Sequence, residues 1–476
     1  MKKLLAVLIS ILLIFSLCAC QGKNETPLHE DIPTVNSGTI EGPTSDKDEK
    51  SESQEEPKNE KPDSEKPKDS NEEPTNPPEN DNEPPKTQNQ NSNLNDKDTP
   101  EEEIKIPNVN DIVSNHSAIS KESYYQRSFL NVSEKSLYDK FCSAAEKCLS
   151  TIDIKKYNMN EDAVKKVYSA FCADCPQYFY VSKRSTFVVD SVTKCVNEFV
   201  IHYTDGEVID DFDEDGNPIV IADREKIKNQ ITEFSNKISA ILSYIPSNIS
   251  ELERERKIYD YIAETVIYDH QAENTSHRSS GLSPSFTAYG AACKGKAVCE
   301  GYVKLFQLLC YNTGINVTPV ESDSDMQHMW VAVNIDDNWY MCDITWDDAD
   351  NHLGCLYYYF NVTKDFISLD HSFSNALKTP NCNSLSASFY NNFAIVPNGN
   401  TLPTDYKTLI YDSVKNGEEY LYVYRGIDSK SLEAFINNNI YNEQCEAYKY
   451  LDSLGYTLGD SYYHTDAYYF LPLIKK

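Results

Sequence analysis

Residues 295–315 read GKAVCEGYVKLFQLLCYNTGI, and residues 327–348 read QHMWVAVNIDDNWYMCDITWDD. The first run predicts a helix: Tyr302, Leu305, Phe306 and Leu309 recur at three- and four-residue spacing, and Gly314 suits the residue that ends it. Cys299 stands at its start, where the positive end of the helix dipole favours a thiolate. Gly295 and Gly301 allow a tight backbone turn and a close approach to a substrate. The second run predicts a β-hairpin, HMWVAVNI and WYMCDIT around Asp336-Asp337. With that two-residue loop His328 stands opposite Thr345, and Asp343 becomes its diagonal neighbour on the same face. A slip of one residue would part them. Asp343 can then hold one imidazole nitrogen while the other meets the Cys299 thiol. Each residue alone has an ordinary alternative: a buried cysteine such as Cys310, a structural strand histidine, a solvated aspartate. In this order and on these elements, Cys299, His328 and Asp343 point together to nucleophilic catalysis.

Outward from this stretch the chain divides by composition. It has 476 residues and a formal net charge of −31. Residues 21–108 hold about 24 acids against about 10 bases and about 13 of the prolines, with no aromatic residue and no cysteine. Such a segment cannot bury a core and reads as an acidic, disordered tether; a random coil of its length spans on the order of 50 Å. Before it, Met1-Lys2-Lys3 precedes LLAVLISILLIFSL, an apolar run suited to a signal-peptide core or, less well, to an uncleaved anchor. Leu17-Cys18-Ala19-Cys20 resembles the bacterial lipobox, which implies lipid modification at Cys20 and attachment to the outer face of a membrane. The acidic balance argues against a nucleic-acid partner.

Between residues 109 and 245 the pattern is α+β. Leu137, Phe141, Ala144 and Cys148 form one helical stripe, and Val164, Val167, Tyr168 and Phe171 form another. QYFYV, STFVV and CVNEFVIHY read as strands, followed by a polar turn around residues 211–217. Cys172-Ala-Asp-Cys175 is one CxxC, half of a zinc site at most, and reads as a structural turn or a local thiol pair. Residues 222–244 form a long amphipathic helix, and Ser250 with Glu253 makes a capping box for the next. His270, just past that helix, is a reserve candidate for a base.

The catalytic stretch resembles the transglutaminase-like superfamily, which shares its Cys/His/Asp logic with papain-like proteases. The matching residues are Val298-Cys299-Glu300-Gly301-Tyr302, then His328 with Trp330, then Trp339-Tyr340 through Asp343-Ile344-Thr345-Trp346-Asp347-Asp348. Many relatives carry Asn shortly after the His, where this chain has Val331. Residues 172–179 also resemble the DxPxxF turn of some bacterial relatives, in Asp174, Pro176 and Phe179. The resemblance implies an α+β core over residues 246–385, with a nucleophile helix packed on an antiparallel sheet. It also implies a mechanism in which Cys299 attacks a glutamine carboxamide or peptide carbonyl and forms a thioester. The backbone N–H of Cys299 and the Tyr289 hydroxyl are candidate oxyanion donors. No cofactor or metal is implied, and Asp347-Asp348 is too little for a calcium loop.

Residues 400–476 read as a small C-terminal α/β unit, with helices at 406–414, 428–438 and 444–454 and strands at 419–424 and 462–473. Its many tyrosines suit a sheet core or a glycan- or peptide-binding face. Set aside Cys18 in the leader, Cys20 lipidated and Cys299 reactive, and an odd number of the 14 cysteines remains, so at least one thiol stays unpaired. The chain therefore reads as a monomeric bacterial surface lipoprotein, anchored through its lipid and acting on protein or cell-wall peptide. The alternative is a catalytically silent adhesion or wall-binding module on the same fold.

Overall fold

The structure, a computed structural model, describes residues 105–476 apart from 205–206, 213–217, 274–282, 323–325, 349–354, 427–428 and 466, together with the backbone of 7–11 and 36–39. Cys20 and nearly all of the expected tether lie outside the described residues. Val7–Ile11, inside the stretch read as a leader, pairs as an edge strand along Val181–Val189. Among the described residues no helix is long and apolar enough to cross a membrane. The architecture is α+β, as the sequence pattern predicts.

In the N-terminal region, helices α1 (Val132–Glu146) and α2 (Glu161–Asp174) each start at an asparagine whose side chain accepts a free backbone N–H: Asn131 from Glu134, Asn160 from Ala163. Their buried faces meet at Phe141 and Phe171, and Phe141 also packs on Phe199 of the sheet beneath, at 4.9 Å. That sheet is antiparallel and contains β1 (Thr151–Asp153), β2 (Val181–Val189) and β3 (Val196–Tyr203), with β3 between the other two. The expected strand QYFYV is instead a turn up to Tyr180, and β2 begins at Val181 and runs through STFVV. The buried Asp174 at the end of α2 accepts the backbone N–H groups of Gln126 (3.2 Å) and Arg127 (2.8 Å). The chain turns there, and Tyr178 and Tyr180 fill the core rather than pair in a ladder.

The central region stacks α3 (Arg224–Ser243), α4 (Glu251–Thr265) and α5 (Cys299–Asn312) against β4 (Asn316–Glu321), β5 (Met329–Ile335) and β6 (Asn338–Cys342). The Ser250/Glu253 capping box opens α4. Both strand pairings are antiparallel, and Ile335 faces Asn338 across the two-residue loop. Asp336 and Asp337 have φ of 48° and 64°, the left-handed pair of a type I′ turn whose twist suits a hairpin. Helix α5 buries Tyr302, Leu305, Phe306 and Leu309, and Phe306 meets Tyr259 of α4 edge-on at 5.9 Å.

Two glycines set the start of α5. Gly295 has φ 63° and turns the chain ahead of the helix. Gly301 differs from the expectation: its close approach is internal, because an added Cβ would lie 2.6 Å from the Ser285 carbonyl oxygen and from Ala297 Cβ. The N-terminal turn of α5 thus lies directly on the backbone of Ser285–Thr287.

The C-terminal sheet aligns Ala394–Ile395, β7 (Tyr420–Tyr424), β9 (Tyr468–Lys475) and β8 (Ser461–His464). Helices Tyr406–Asn416 and Glu446–Ser453 cover one face of it. The stretch read as one strand over 462–473 is two, because Thr465 Oγ1 accepts the N–H groups of Ala467 (3.2 Å) and Tyr468 (3.0 Å) and turns the chain between them. Several of its tyrosines are core: Tyr422 and Tyr468 pack against Phe389, and Tyr422 against Tyr357, whereas Tyr411 is exposed. Arg256 of α4 reaches the same place. Its guanidinium lies 2.6 Å from Glu418, 3.6 Å from Asp260 and over the rings of Phe393 and Phe389.

Two substitutions test this packing by urea unfolding. Arg256→Ala leaves Glu418 and Asp260 without their buried partner and should cost roughly 3–5 kcal/mol. Gly301→Ala forces α5 off its bed and should cost about 1–3 kcal/mol. A midpoint unchanged in either variant would contradict the contact described for it.

Candidate active site

Three elements from different parts of the chain meet at the site. Helix α5 carries Cys299 as its first residue, half-buried, with Val298 in the extended conformation before it. The N–H of Cys299 is one of the first-turn donors that have no acceptor inside the helix. His328 stands one residue before β5, after Gln327 with φ 52°. Its backbone is fastened to Ser322 by two hydrogen bonds, N–H to Ser322 Oγ (2.6 Å) and Ser322 N–H to the His328 carbonyl (2.9 Å). Asp343 follows β6 and caps the short helix α6 (Ile344–Asp347).

His328 Nε2 lies 2.5 Å from Asp343 Oδ2. The ring's remaining nitrogen, Nδ1, is then the one left for an interaction with Cys299, which favours the charged form of the ring. The hairpin register places His328 and Asp343 on one face, as the two-residue loop requires, although cross-strand pairing with β6 stops at Val331 opposite Cys342. Beyond that pair the chain leaves the ladder, because Asp343 Oδ1 accepts the N–H groups of Thr345 (3.0 Å) and Trp346 (3.1 Å) and starts a helical turn.

Charge follows from these contacts. Burial works against the charged form of His328, but Asp343 and Cys299 more than offset it, and the pKa is pushed up to about 10. Burial likewise opposes the Asp343 carboxylate, yet His328 and His371 hold it well below the usual carboxylate range.

The residues after Cys299 are braced. Glu300 is half-buried; loss of water would raise its pKa, but Lys183 (3.0 Å) and Lys304 (2.7 Å) pull it down to about 2. Tyr302 Oη donates to Asp348 Oδ2 (2.6 Å), and Tyr259 Oη donates to Asp347 Oδ2 (2.7 Å). Asp347-Asp348 thus tie α6 to α5 and α4.

Not every sequence candidate arrives at the site. Tyr289 donates its hydroxyl to Glu233 of α3 at 2.6 Å and stacks on Phe179, so its hydroxyl is committed to the α3 side. The backbone N–H of Cys299 remains as the candidate oxyanion donor. His270 is exposed, 3.8 Å from Glu273 on its own short helix. Cys172 and Cys175 are both free thiols; Cys175, which caps α2, lies 3.1 Å from Tyr138 Oη.

One residue at the site carries no signal in the sequence reading. His371, buried, places Nε2 3.0 Å from the same Asp343 Oδ2 and Nδ1 2.6 Å from Asp370 Oδ1. Trp330, Trp346 and Tyr359 wall it in, with ring centroids 4.8, 4.3 and 5.1 Å away. It lies 28 residues beyond Asp343 in an irregular stretch with no periodicity, and only the tertiary fold returns it to the site. His328, Asp343 and His371 are the group among the described residues that offers three ligand-type atoms within 4.8 Å of one another.

Residues 239–344 match the transglutaminase-like superfamily, a span that includes Cys299, His328 and Asp343 and ends before His371. A curated relative, Kyphoscoliosis peptidase from Mus musculus, is 25% identical over 131 residues, which is 25% of this chain and 19% of the relative. A solved structure titled "Crystal structure of a TGase" matches with a TM-score of 0.22 and 18% identity, over 28% of this chain and 35% of the other. Each match spans well under half the length of the protein matched. Residues 239–344, the segment that holds Cys299, His328 and Asp343, thus match the transglutaminase-like superfamily, and the α+β architecture around them is consistent with that match.

Proposed function

We propose that the protein is a cysteine acyltransferase or hydrolase, acting on glutamine carboxamides or peptide bonds through Cys299, His328 and Asp343. The observation that carries the reading is His328, with Nε2 at 2.5 Å from a buried aspartate and Cys299 among the groups that favour its charged form. In this mechanism the Cys299 thiolate attacks the carbonyl carbon, and the negative charge on its oxygen is met by the N–H of Cys299. The His328 imidazolium gives its proton to the departing ammonia or amine, and a thioester remains. Water or a second amine, deprotonated by His328, then releases the acyl group. Asp343 keeps the ring oriented and stabilises its charge. The work is placed outside the cell, with the chain held to the membrane by lipid at Cys20 and the acidic segment to residue 108 serving as a tether. Protein or cell-wall peptide is the substrate.

The direct test is mass spectrometry of surface proteins and wall peptides incubated with the full chain and with its Cys299→Ala form. A glutamine-to-glutamate change, a new isopeptide or a cleavage should appear with the native chain and vanish in the variant. His328→Ala should slow that reaction by about a hundredfold to ten-thousandfold. Products that persist in Cys299→Ala would remove the nucleophile from the proposal, and no product from any substrate class would favour a binding module.

The pair also has a pH signature. His328 has its pKa raised from 6.5 to about 10, so its contribution to stability is fully present below 6.5 and is lost as pH rises through 10. Asp343 is shifted down from 3.8, so its contribution is present above that value and is lost as pH falls. The stability gap between the native chain and Asp343→Asn should therefore be widest between these two ordinary values and shrink toward pH 10. Urea midpoints taken across that range check it; a gap independent of pH would contradict the ion pair.

A further inference from the structure

We propose that His328, Asp343 and His371 form a binding site for a divalent transition-metal ion of the zinc type, and that an ion bound there blocks His328. The Cys299–His328–Asp343 arrangement makes no use of His371. Yet His371 Nε2 and His328 Nε2 converge on one oxygen, Asp343 Oδ2, at 3.0 and 2.5 Å. All three atoms lie within 4.8 Å of one another.

The atoms that would not bind the ion are already engaged. Asp343 Oδ1 accepts two backbone N–H groups, from Thr345 and Trp346. His371 Nδ1 is held by Asp370 Oδ1 at 2.6 Å, and Asp370 Oδ2 in turn accepts Tyr359 Oη at 2.6 Å. His328 Nδ1 is the ring nitrogen that Asp343 leaves open. A histidine fixed through one nitrogen by a carboxylate, with the other nitrogen aimed at a shared point, is the outer-shell arrangement that orients metal ligands. Two imidazoles and one carboxylate suit zinc and its neighbours. They do not suit calcium or magnesium, which take oxygen ligands.

Metal–ligand bonds of about 2.0–2.2 Å set tetrahedral neighbours roughly 3.3 Å apart, so each ring draws back from Asp343 by under about 1 Å and the two Nε2 atoms, now within 4.8 Å of each other, close by up to about 1.5 Å. Trp330 and Tyr359 line the inner side, and Trp346, 39% exposed, is the outer wall past which an ion reaches the site. On binding, each ring gives up its Nε2 proton to solvent and keeps the one on Nδ1. His371 continues to donate to Asp370. His328 now presents N–H to Cys299 and has no free lone pair to take the thiol proton, so the base is held off while the ion stays.

The binding itself does not depend on the proposed reaction, so the test reads the metal first. The full chain is stripped with chelator and titrated with Zn²⁺ against a chromophoric chelator, beside His371→Gln, Asp370→Asn and Cys299→Ala. The native chain and Cys299→Ala should each bind one ion with equal affinity. Removing the ligand His371, or its outer partner Asp370, should weaken binding by at least about tenfold. With Co²⁺ the spectrum should lack a thiolate-to-metal charge-transfer band. Zn²⁺ should also slow alkylation of Cys299 in the native chain, reversibly with chelator, and fail to do so in His371→Gln at the same concentration. No binding by the native chain, loss of binding in Cys299→Ala, a thiolate band, or full affinity in both His371→Gln and Asp370→Asn would each overturn the proposal. Asp370→Asn leaves all three ligands in place, so it decides the matter if His371→Gln does not fold.

Discussion

The Asp343 carboxylate is the constraint on which the site depends. A charge buried this completely survives only if its oxygens are occupied by donors, and here both are: Oδ1 by the N–H groups of Thr345 and Trp346, Oδ2 by two imidazoles. One side chain therefore ends a strand, begins a helix and orients a histidine. The same contacts keep the carboxylate ionised and His328 protonated, each charge holding the other against the cost of burial.

The rest of the central region holds three separately encoded pieces in register with that carboxylate. The hairpin supplies His328 and Asp343 from one local unit, so their spacing is insensitive to packing elsewhere. Cys299 comes from a helix whose position is decided by its bed: Gly301 against Ser285, Phe306 against Tyr259, and Tyr302 bonded to Asp348 just beyond Asp343. Helix α4 links this assembly to the C-terminal sheet. Arg256 pairs with Glu418 and lies over Phe393 and Phe389, so the sheet that carries no reactive group still bears on the helix that Tyr259 belongs to.

Where sequence reasoning and structure part, the reason is packing. QYFYV has the composition of a strand, but its aromatic rings are worth more as a plug under α2 than as ladder residues, and Asp174 turns the chain there. The stretch from Tyr462 to Leu473 is broken by a threonine side chain that turns its own backbone. Gly301 suits a close approach to substrate and Tyr289 an oxyanion donor by sequence; in the structure Gly301 makes room for Ser285, and Tyr289 bonds Glu233. In each case the partner is far along the chain or belongs to a local turn that periodicity does not register.

The sequence by itself determined the helix that begins at Cys299, the hairpin with its two-residue loop, and the placing of His328 and Asp343 on one face. Those features follow from local rules: apolar spacing, positive-φ turn residues and the two-residue alternation of strands. Tertiary structure alone decided that His371 would share the oxygen His328 uses, and that Asp370 would stand behind it. Nothing local marks that histidine, because its position is set by the loop's return across the sheet and by the three aromatic rings that enclose it.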